Sequence, residues 1–337
     1  MKYLKLLFLL LGLVLLGVVL DETDLAELWA RVVEIGWFGM VLVMVLFFIA
    51  FGVDVVAWAL AFDSIPMAPR WLWRLFLVRM VGEAFNNVTP TASMGGEPIK
   101  AMLLKSHYDI GYRESMATVV IAKTTILIGL LFFLGIGFVL LLQSDKVPDS
   151  YKTVAGAGLI GLTIIIVNFF LWQRLRLTSR AGSRLSAGRF STRLQKWLEI
   201  ITEIDDQFVG FYKHKPARFG SALVLVIINW LLGVVEVYLV MYLFGHPVSL
   251  AEAWIIESMA QLVRAGAFFI PAAIGAQEGT FMLVCGAITG NPTLGIAVAL
   301  VRRAREILWI AAGLGLWWSY SLRNQSTASV SASSTER

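Results

Sequence analysis

Phe268–Gly279 reads FFIPAAIGAQEG, and it has a partner in Phe85–Pro98, FNNVTPTASMGGEP. In each, a proline precedes a glutamate by seven residues: Pro90 and Glu97 in one, Pro271 and Glu278 in the other. Gly95 and Gly96 lie in the first gap, Gly275 in the second, and apolar runs flank both. Proline lacks a backbone donor and disfavours helix in the residue before it. Neither Thr89-Pro90 nor Ile270-Pro271 therefore sits inside a smooth helix. Two broken helices at corresponding places of two halves point to a transport or lipid site at mid-membrane.

The surrounding composition is that of a polytopic membrane protein. Of 337 residues, 58% are hydrophobic and 15% charged, with a mean hydropathy of +0.77. A soluble domain carries about 25% charged residues. Apolar runs of roughly 20 residues, enough to cross the hydrocarbon core, recur along the chain. The single cysteine, Cys285, excludes an internal disulfide. His107, His214 and His246 match no metal spacing, so no metal or other cofactor is expected. The net charge of +5 reflects basic residues at span ends and not nucleic-acid binding. No GxxxxGK[ST] run is present, so ATP would have to act through a partner.

The order of spans follows from charge and length. Lys2 and Lys5 precede an apolar run, 6–20, read as an uncleaved first span, and an acidic external segment completes 1–35. The first membrane repeat, 36–143, holds a span at 36–61, a broken-helix hairpin at 71–106 and a span at 115–142. A connecting region, 144–217, holds a span at 153–172 and a basic cytoplasmic loop. That loop has seven basic residues and no acid from Arg174 to Lys196. It reads as a positive-inside loop or as an amphipathic surface helix. The second repeat, 218–320, holds a span at 218–244, a hairpin at 250–290 and a span at 294–319. The Ser/Thr-rich tail, 321–337, reads as disordered. The expected fold is an all-α integral membrane protein with six full spans and two re-entrant hairpins in inverted-topology repeats. Both termini fall inside, and each hairpin leg reads as too short to cross alone.

The polar residues inside these segments are the candidate site. A hairpin tip leaves backbone groups unpaired, so it is buried in protein or lines a wet cavity. Helix starts attract anions, and glycines let a phosphate approach the backbone. Glu97 and Glu278 either line a headgroup site or cap their own helices. Arg302, Arg303 and Arg305 stand with Glu306 in the last apolar run. Arg302 and Glu306 are spaced to pair on one helix face. Three cations against one acid leave positive charge for an anion, unless Arg302 and Arg303 snorkel to the interface. Arg79, Glu83 and Asn86, and likewise Glu257, Gln261 and Arg264, fall at helical spacing and either brace their hairpins or line the cavity. Asn87 beside the break is the stronger cavity residue. Lys100 either contacts phosphate or pairs with Glu97. Lys123, Asn229 and Glu236 are isolated polar residues in spans, with no assigned role.

The run NNVTPTASMGGEPIKAMLL, followed by SMATVVIAKTTIL, resembles the flippase-like family related to the membrane part of lysylphosphatidylglycerol synthases. FFIPAAIGAQEGTFML, with LVRRAREILWIAAGL, looks closer still to its hopanoid-biosynthesis-associated branch. The resemblance covers about residues 36–319. It implies lipid translocation, with Asn87, Pro90, Gly95, Gly96, Glu97, Pro271, Gly275, Glu278 and Arg302 at matching positions. Lys100 departs from an arginine common in that family, which replaces a bidentate phosphate contact by a point charge. The expectation is a lipid transporter of the bacterial inner membrane, without a synthase domain and without catalytic residues. Its substrate-binding set is Asn86, Asn87, Pro90, Gly95, Gly96, Glu97, Lys100, Arg264, Pro271, Gly275, Glu278, Arg302, Arg303 and Arg305. Its partners are a membrane lipid and, as an option, lipid-synthesis enzymes. Rival readings are an enzyme on lipid phosphates using Glu97 or Glu278, and a scaffold for lipid synthesis acting through the basic loop.

Overall fold

A computed structural model of the protein describes residues 25–89, 95–174, 210–211, 213–267, 270, 273 and 275–335. The expected first span at 6–20, the basic loop beyond Arg174, and Pro90 and Pro271 lie outside them. The described residues form helices α1 (Leu25–Ala59), α2 (Pro69–Val88), α3 (Glu97–Tyr108), α4 (Tyr112–Gln143), α5 (Asp149–Arg174), α6 (Pro216–Leu243), α7 (Leu250–Gly266), α8 (Ala276–Thr289) and α9 (Pro292–Thr335). Among these residues there is no strand. The helical backbone runs past Asn324 to Thr335, into the segment whose composition suggests disorder.

Four described helices are long and apolar enough to cross a membrane: Val33–Ala59, Tyr112–Gln143, Asp149–Asn168 and Pro216–Leu243. The expected last span, 294–319, lies in α9, but Arg302, Arg303, Arg305 and Glu306 fall inside it, so apolarity alone does not mark it. Residues such as Phe132, Ile136, Val139, Ile164 and Ile165 face outward, while Glu257, Arg302, Arg303 and Arg305 are buried. That arrangement inverts the soluble pattern and suits a hydrocarbon solvent, where ionisable groups turn to the protein interior.

Local chemistry sets the helix ends. Thr89 leaves α2 in an extended conformation (φ −98°, ψ 137°), as the residue before a proline should. Its hydroxyl donates to the Phe85 carbonyl at 2.6 Å, satisfying one of the last-turn acceptors. Pro98 stands in the first turn of α3, where its missing N–H costs nothing. Ser249 and Glu252 form a reciprocal capping box at the start of α7. Gly275, at φ 79°, enters α8 through a conformation that disfavours a side chain. α2 has 20 residues, about 30 Å at 1.5 Å each, so length alone does not stop it short of crossing, but it is not among the four helices apolar enough to span. The second legs, α3 with 12 residues and α8 with 14, are short.

The helices pack in a paired pattern. α1 lies along α6. The packing of α1 on α2, α2 on α3 and α3 on α4 is matched by α6 on α7, α7 on α8 and α8 on α9. The crossing of α9 on α2 is matched by that of α4 on α7, and α9 on α1 by α4 on α6. Both long crossings are close. A Cβ at Gly313 of α9 would lie 2.7 Å from the Met80 carbonyl of α2, and one at Gly137 of α4 would lie 2.2 Å from Ser258 Oγ of α7. α5 stands outside this scheme, against α4 and α7. Phe47, Phe51, Phe76 and Trp309 form an aromatic knot that ties α9 to α1 and α2.

Within the first hairpin, Gly82 of α2 meets Gly96 backbone to backbone. A Cβ at Gly96 would fall 1.8 Å from the Gly82 carbonyl oxygen. The side of Gly96 that a Cβ would occupy is thus taken by α2, so the missing side chain serves the closeness of the hairpin legs. Gly96→Ala is expected to force α2 and α3 apart and lower stability by about 1–3 kcal/mol. Gly135→Ala, a mid-helix position with nothing within 4 Å, should be neutral or slightly stabilising. Thermal unfolding of the two variants in detergent gives the comparison, and equal midpoints would contradict the close approach.

Candidate functional site

The first hairpin brings together a compact charge cluster. Glu97, on the first residue of α3, is buried at 3% exposure. It accepts from Lys100 Nζ at 3.0 and 3.1 Å and from Asn86 Nδ2 at 3.1 Å. Lys123 Nζ, from mid-α4, lies 3.1 Å from the same carboxylate. Of the two readings open for Lys100, the structure shows pairing with Glu97, and the lysine is itself buried. Asn86 Oδ1 accepts the Gly96 N–H at 2.8 Å, so the start of α3 is closed by its own hairpin. Arg79 pairs with Asp54 of α1. Glu83 is half-buried and takes a 3.4 Å contact from Asn86. Glu97 therefore does not cap its own helix; it organises cations from two helices.

The second cluster centres on α9. Arg302, Arg303 and Arg305 are 4–6% exposed, so the alternative of snorkelling to an interface is overturned. The expectation of spare positive charge is overturned as well. Arg302 meets Glu236 of α6 at 3.3 Å and Glu257 of α7 at 2.7 Å. Arg305 pairs with the other oxygen of Glu236 and lies over the Phe47 ring. Arg303 pairs with Glu278 of α8 and with Glu306, one helical turn on, at 2.9 Å. Arg264 of α7 reaches Glu306 at 3.2 Å. Four arginines thus meet four glutamates. The expected Arg302–Glu306 pair is replaced by Arg303–Glu306. The reason is that Arg302 faces α6 and α7, which carry their own acids. Glu278 also fills the capping reading: its carboxylate accepts the Gly275 N–H at 2.8 Å at the start of α8.

The two clusters touch. Asn87, next to Asn86, donates Nδ2 to the Glu83 carbonyl of its own helix at 3.0 Å and accepts at Oδ1 from Arg264 Nη2 at 3.4 Å. Arg264 also reaches Gln277 Oε1 of α8 at 3.4 Å. A polar chain therefore runs from Lys123 through Glu97 to Asn86 and, across the Asn86–Asn87 peptide of α2, from Asn87 to Arg264, Glu306, Arg303 and Glu278. It joins α2, α3, α4, α7, α8 and α9. Exposure along it is uneven. In the first half the acid is closed at 3% and its partner Lys123 is open at 35%. In the second half Arg303 is closed at 4% and Glu278 is open at 25%.

Spacing along the sequence gives Lys123 and Glu236 no role and leaves Glu257 either bracing its hairpin or lining the cavity; the structure makes all three members of this network. Their signal was present: ionisable residues inside membrane segments face partners by default. Among the described residues, no group of His, Cys, Asp and Glu is arranged to hold a metal. A separate cavity of about 610 Å³ lies between the α1–α2 turn and the starts of α4 and α6, edged by Asp63, Glu114, His214 and Lys215.

Apolar outer faces, span-length helices and charges turned inward define an integral multi-pass α-helical membrane protein. The chain belongs to the family described as the lysylphosphatidylglycerol synthase TM region, whose model matches residues 4–315. It is 26% identical over 297 residues to a UPF0104 membrane protein of Methanothermobacter thermautotrophicus, covering 82% of this chain and 83% of that protein. A second relative, a UPF0104 membrane protein of Pyrococcus horikoshii, is 24% identical over 248 residues, 70% of this chain and 72% of its own length. No solved structure matches significantly.

Proposed function

We propose that the protein translocates a membrane lipid with a phosphate-bearing or otherwise polar headgroup, which passes between the ends of the two hairpins. The observation that carries this reading is the Asn87–Arg264 contact, which joins the broken end of one hairpin to the other within a single polar chain. Such a chain inside a membrane domain costs solvation energy, and polar groups kept there mark substrate paths. The paired helix packing supports an inverted repeat, the architecture in which one half rocks against the other around a central site. In this reading the protein acts as a transporter in a cytoplasmic membrane, without chemistry of its own, and lipid-synthesis enzymes supply its substrate. The resemblance of the second motif to a hopanoid-associated branch makes the lipids of such membranes the first ones to try.

The test is translocation in proteoliposomes. Fluorescently labelled anionic and neutral lipids are followed by quenching of the outer leaflet, with wild type beside Glu278→Gln. Wild type is expected to speed the exchange. Glu278→Gln keeps Arg303 paired through Glu306 and should remain folded, but is expected to slow exchange about tenfold, the loss of one charge-assisted contact. Wild-type rates equal to protein-free liposomes for every lipid would count against transport.

A further inference from the structure

We infer that Arg264, and not the arginine triplet of α9, is the residue that takes the phosphate, and that it does so by giving up Asn87. The inference rests on the translocation reading and names the anion contact within it. Four guanidinium groups stand in the polar chain and beside it, and they differ in burial and partners. Arg302, Arg303 and Arg305 have side-chain exposures of 6%, 4% and 7%, and each is held by carboxylate oxygens from other helices. Arg264 keeps 30% of its side chain exposed. It shares Glu306 with Arg303, and its two remaining partners are neutral amides at 3.4 Å. Guanidinium forms its strongest pairs as a fork on carboxylate or phosphate oxygens, at about 2.7–2.9 Å. The contacts of Arg264 to Asn87 and Gln277 are long and uncharged, so a phosphate displaces them at little cost.

The helix beside it adds a second reason. Gln277 lies in the first turn of α8, so Arg264 stands at the positive end of that helix dipole. Glu278 of that turn already caps the Gly275 N–H and pairs with Arg303, so the dipole adds to the pull of Arg264 on an anion without offering the Gly275 N–H as a donor. Both helix starts have their capping N–H taken, that of Gly96 by Asn86 and that of Gly275 by Glu278, so what separates them is the cation beside each. Lys100, on the first hairpin, is 3% exposed and fully engaged by Glu97, whereas Arg264 on the second is 30% exposed, which puts the accessible cation on the second hairpin.

The contact given up has a consequence for the halves. Asn87–Arg264 is the hydrogen bond that links the first hairpin directly to the second among the described residues. A phosphate on Arg264 replaces that link, so occupancy loosens the two hairpins from one another. Substrate binding and movement of the halves are in this way the same event.

The test separates binding from transport. The full-length protein is held in detergent micelles, and its unfolding temperature is followed against added phosphatidylglycerol, a diacylglycerol lacking phosphate, and inorganic phosphate. A ligand that binds the native state raises the midpoint in a saturable way. Wild type is expected to respond to phosphatidylglycerol and not to diacylglycerol. Arg264→Gln should weaken the apparent affinity tenfold or more, and Arg264→Lys, which keeps charge without the fork, should fall between. Asn87→Asp is the decisive variant. It gives Arg264 a competing carboxylate and gives up the Asn87 Nδ2 donation to the Glu83 carbonyl, so its own lipid-free midpoint is the baseline, and from that baseline lipid binding should weaken tenfold or more. A response to inorganic phosphate matching that to the lipid supports the phosphate contact and identifies a free anion as its source. No phosphate-dependent response in wild type, or an unchanged response in Arg264→Gln and Asn87→Asp, overturns the assignment. Failure of liposome translocation with binding intact would instead remove the transport reading and leave Arg264 as a phosphate site.

Discussion

Glu236→Ala is expected to lower stability by about 3–5 kcal/mol, the range for breaking a buried ion pair by removing one side. Glu236 is 3% exposed and serves both Arg302 and Arg305, one through each oxygen. Without it, Arg302 retains Glu257, but Arg305 keeps only the face of Phe47 as a described partner. A cation over an aromatic face is worth about 0.5–2 kcal/mol, which does not offset the lost carboxylate. The residual charge sits at 6% exposure, where water does not reach it. The measurement is the unfolding midpoint of purified protein in one fixed detergent. The companion is Glu236→Ala with Arg305→Met, which removes acid and cation together and should recover much of the loss, since a packed apolar side chain is often as good as a buried pair. A single variant as stable as wild type would show that Arg305 has another outlet.

The second large effect is expected at Glu97. Glu97→Gln keeps the shape and the hydrogen bond to Asn86 but strands two lysines of unequal burial. Lys123, at 35% exposure, hydrates in place. Lys100, at 3%, does not, and its stem is pinned against Gly82, where a Cβ would come within 2.3 Å of Lys100 Cε. The expected loss is about 3 kcal/mol, at the lower end of the range for a broken buried pair. Combining Glu97→Gln with Lys100→Met should restore stability while leaving Lys123 charged and unpaired. If that double variant stays as unstable as the single one, Lys123 and not Lys100 is the burdened partner. The same pair then informs function: a stable double variant that still moves lipid places Glu97 in the scaffold, and one that does not places it in the path.

These two glutamates show where reading the chain stops. The sequence by itself determined that a helix breaks at Thr89, before Pro90. It also located the long apolar runs at 36–61, 115–142, 153–172 and 218–244. Each of these follows from covalent or near-neighbour effects: a missing N–H, a fixed φ, or the run length needed to cross hydrocarbon. It also flagged nearly every charged residue of the candidate site, because a charge in an apolar segment is conspicuous in any order of reading.

Only the tertiary structure decided whom those charges meet. Arg302 and Glu236 are 66 residues apart, and Arg264 and Asn87 are 177 apart. Spacing along α9 alone pairs Arg302 with Glu306, because successive residues on a helix turn by about 100° and neighbours at four share a face. Packing overrules it: the face bearing Arg302 and Arg305 lies against Glu236 of α6, which leaves Glu306 to Arg303 and Arg264. Charge balance inside a membrane is a sum over helices brought together from distant parts of the chain. Counting one segment therefore gave three arginines against one glutamate, where the folded protein sets four against four.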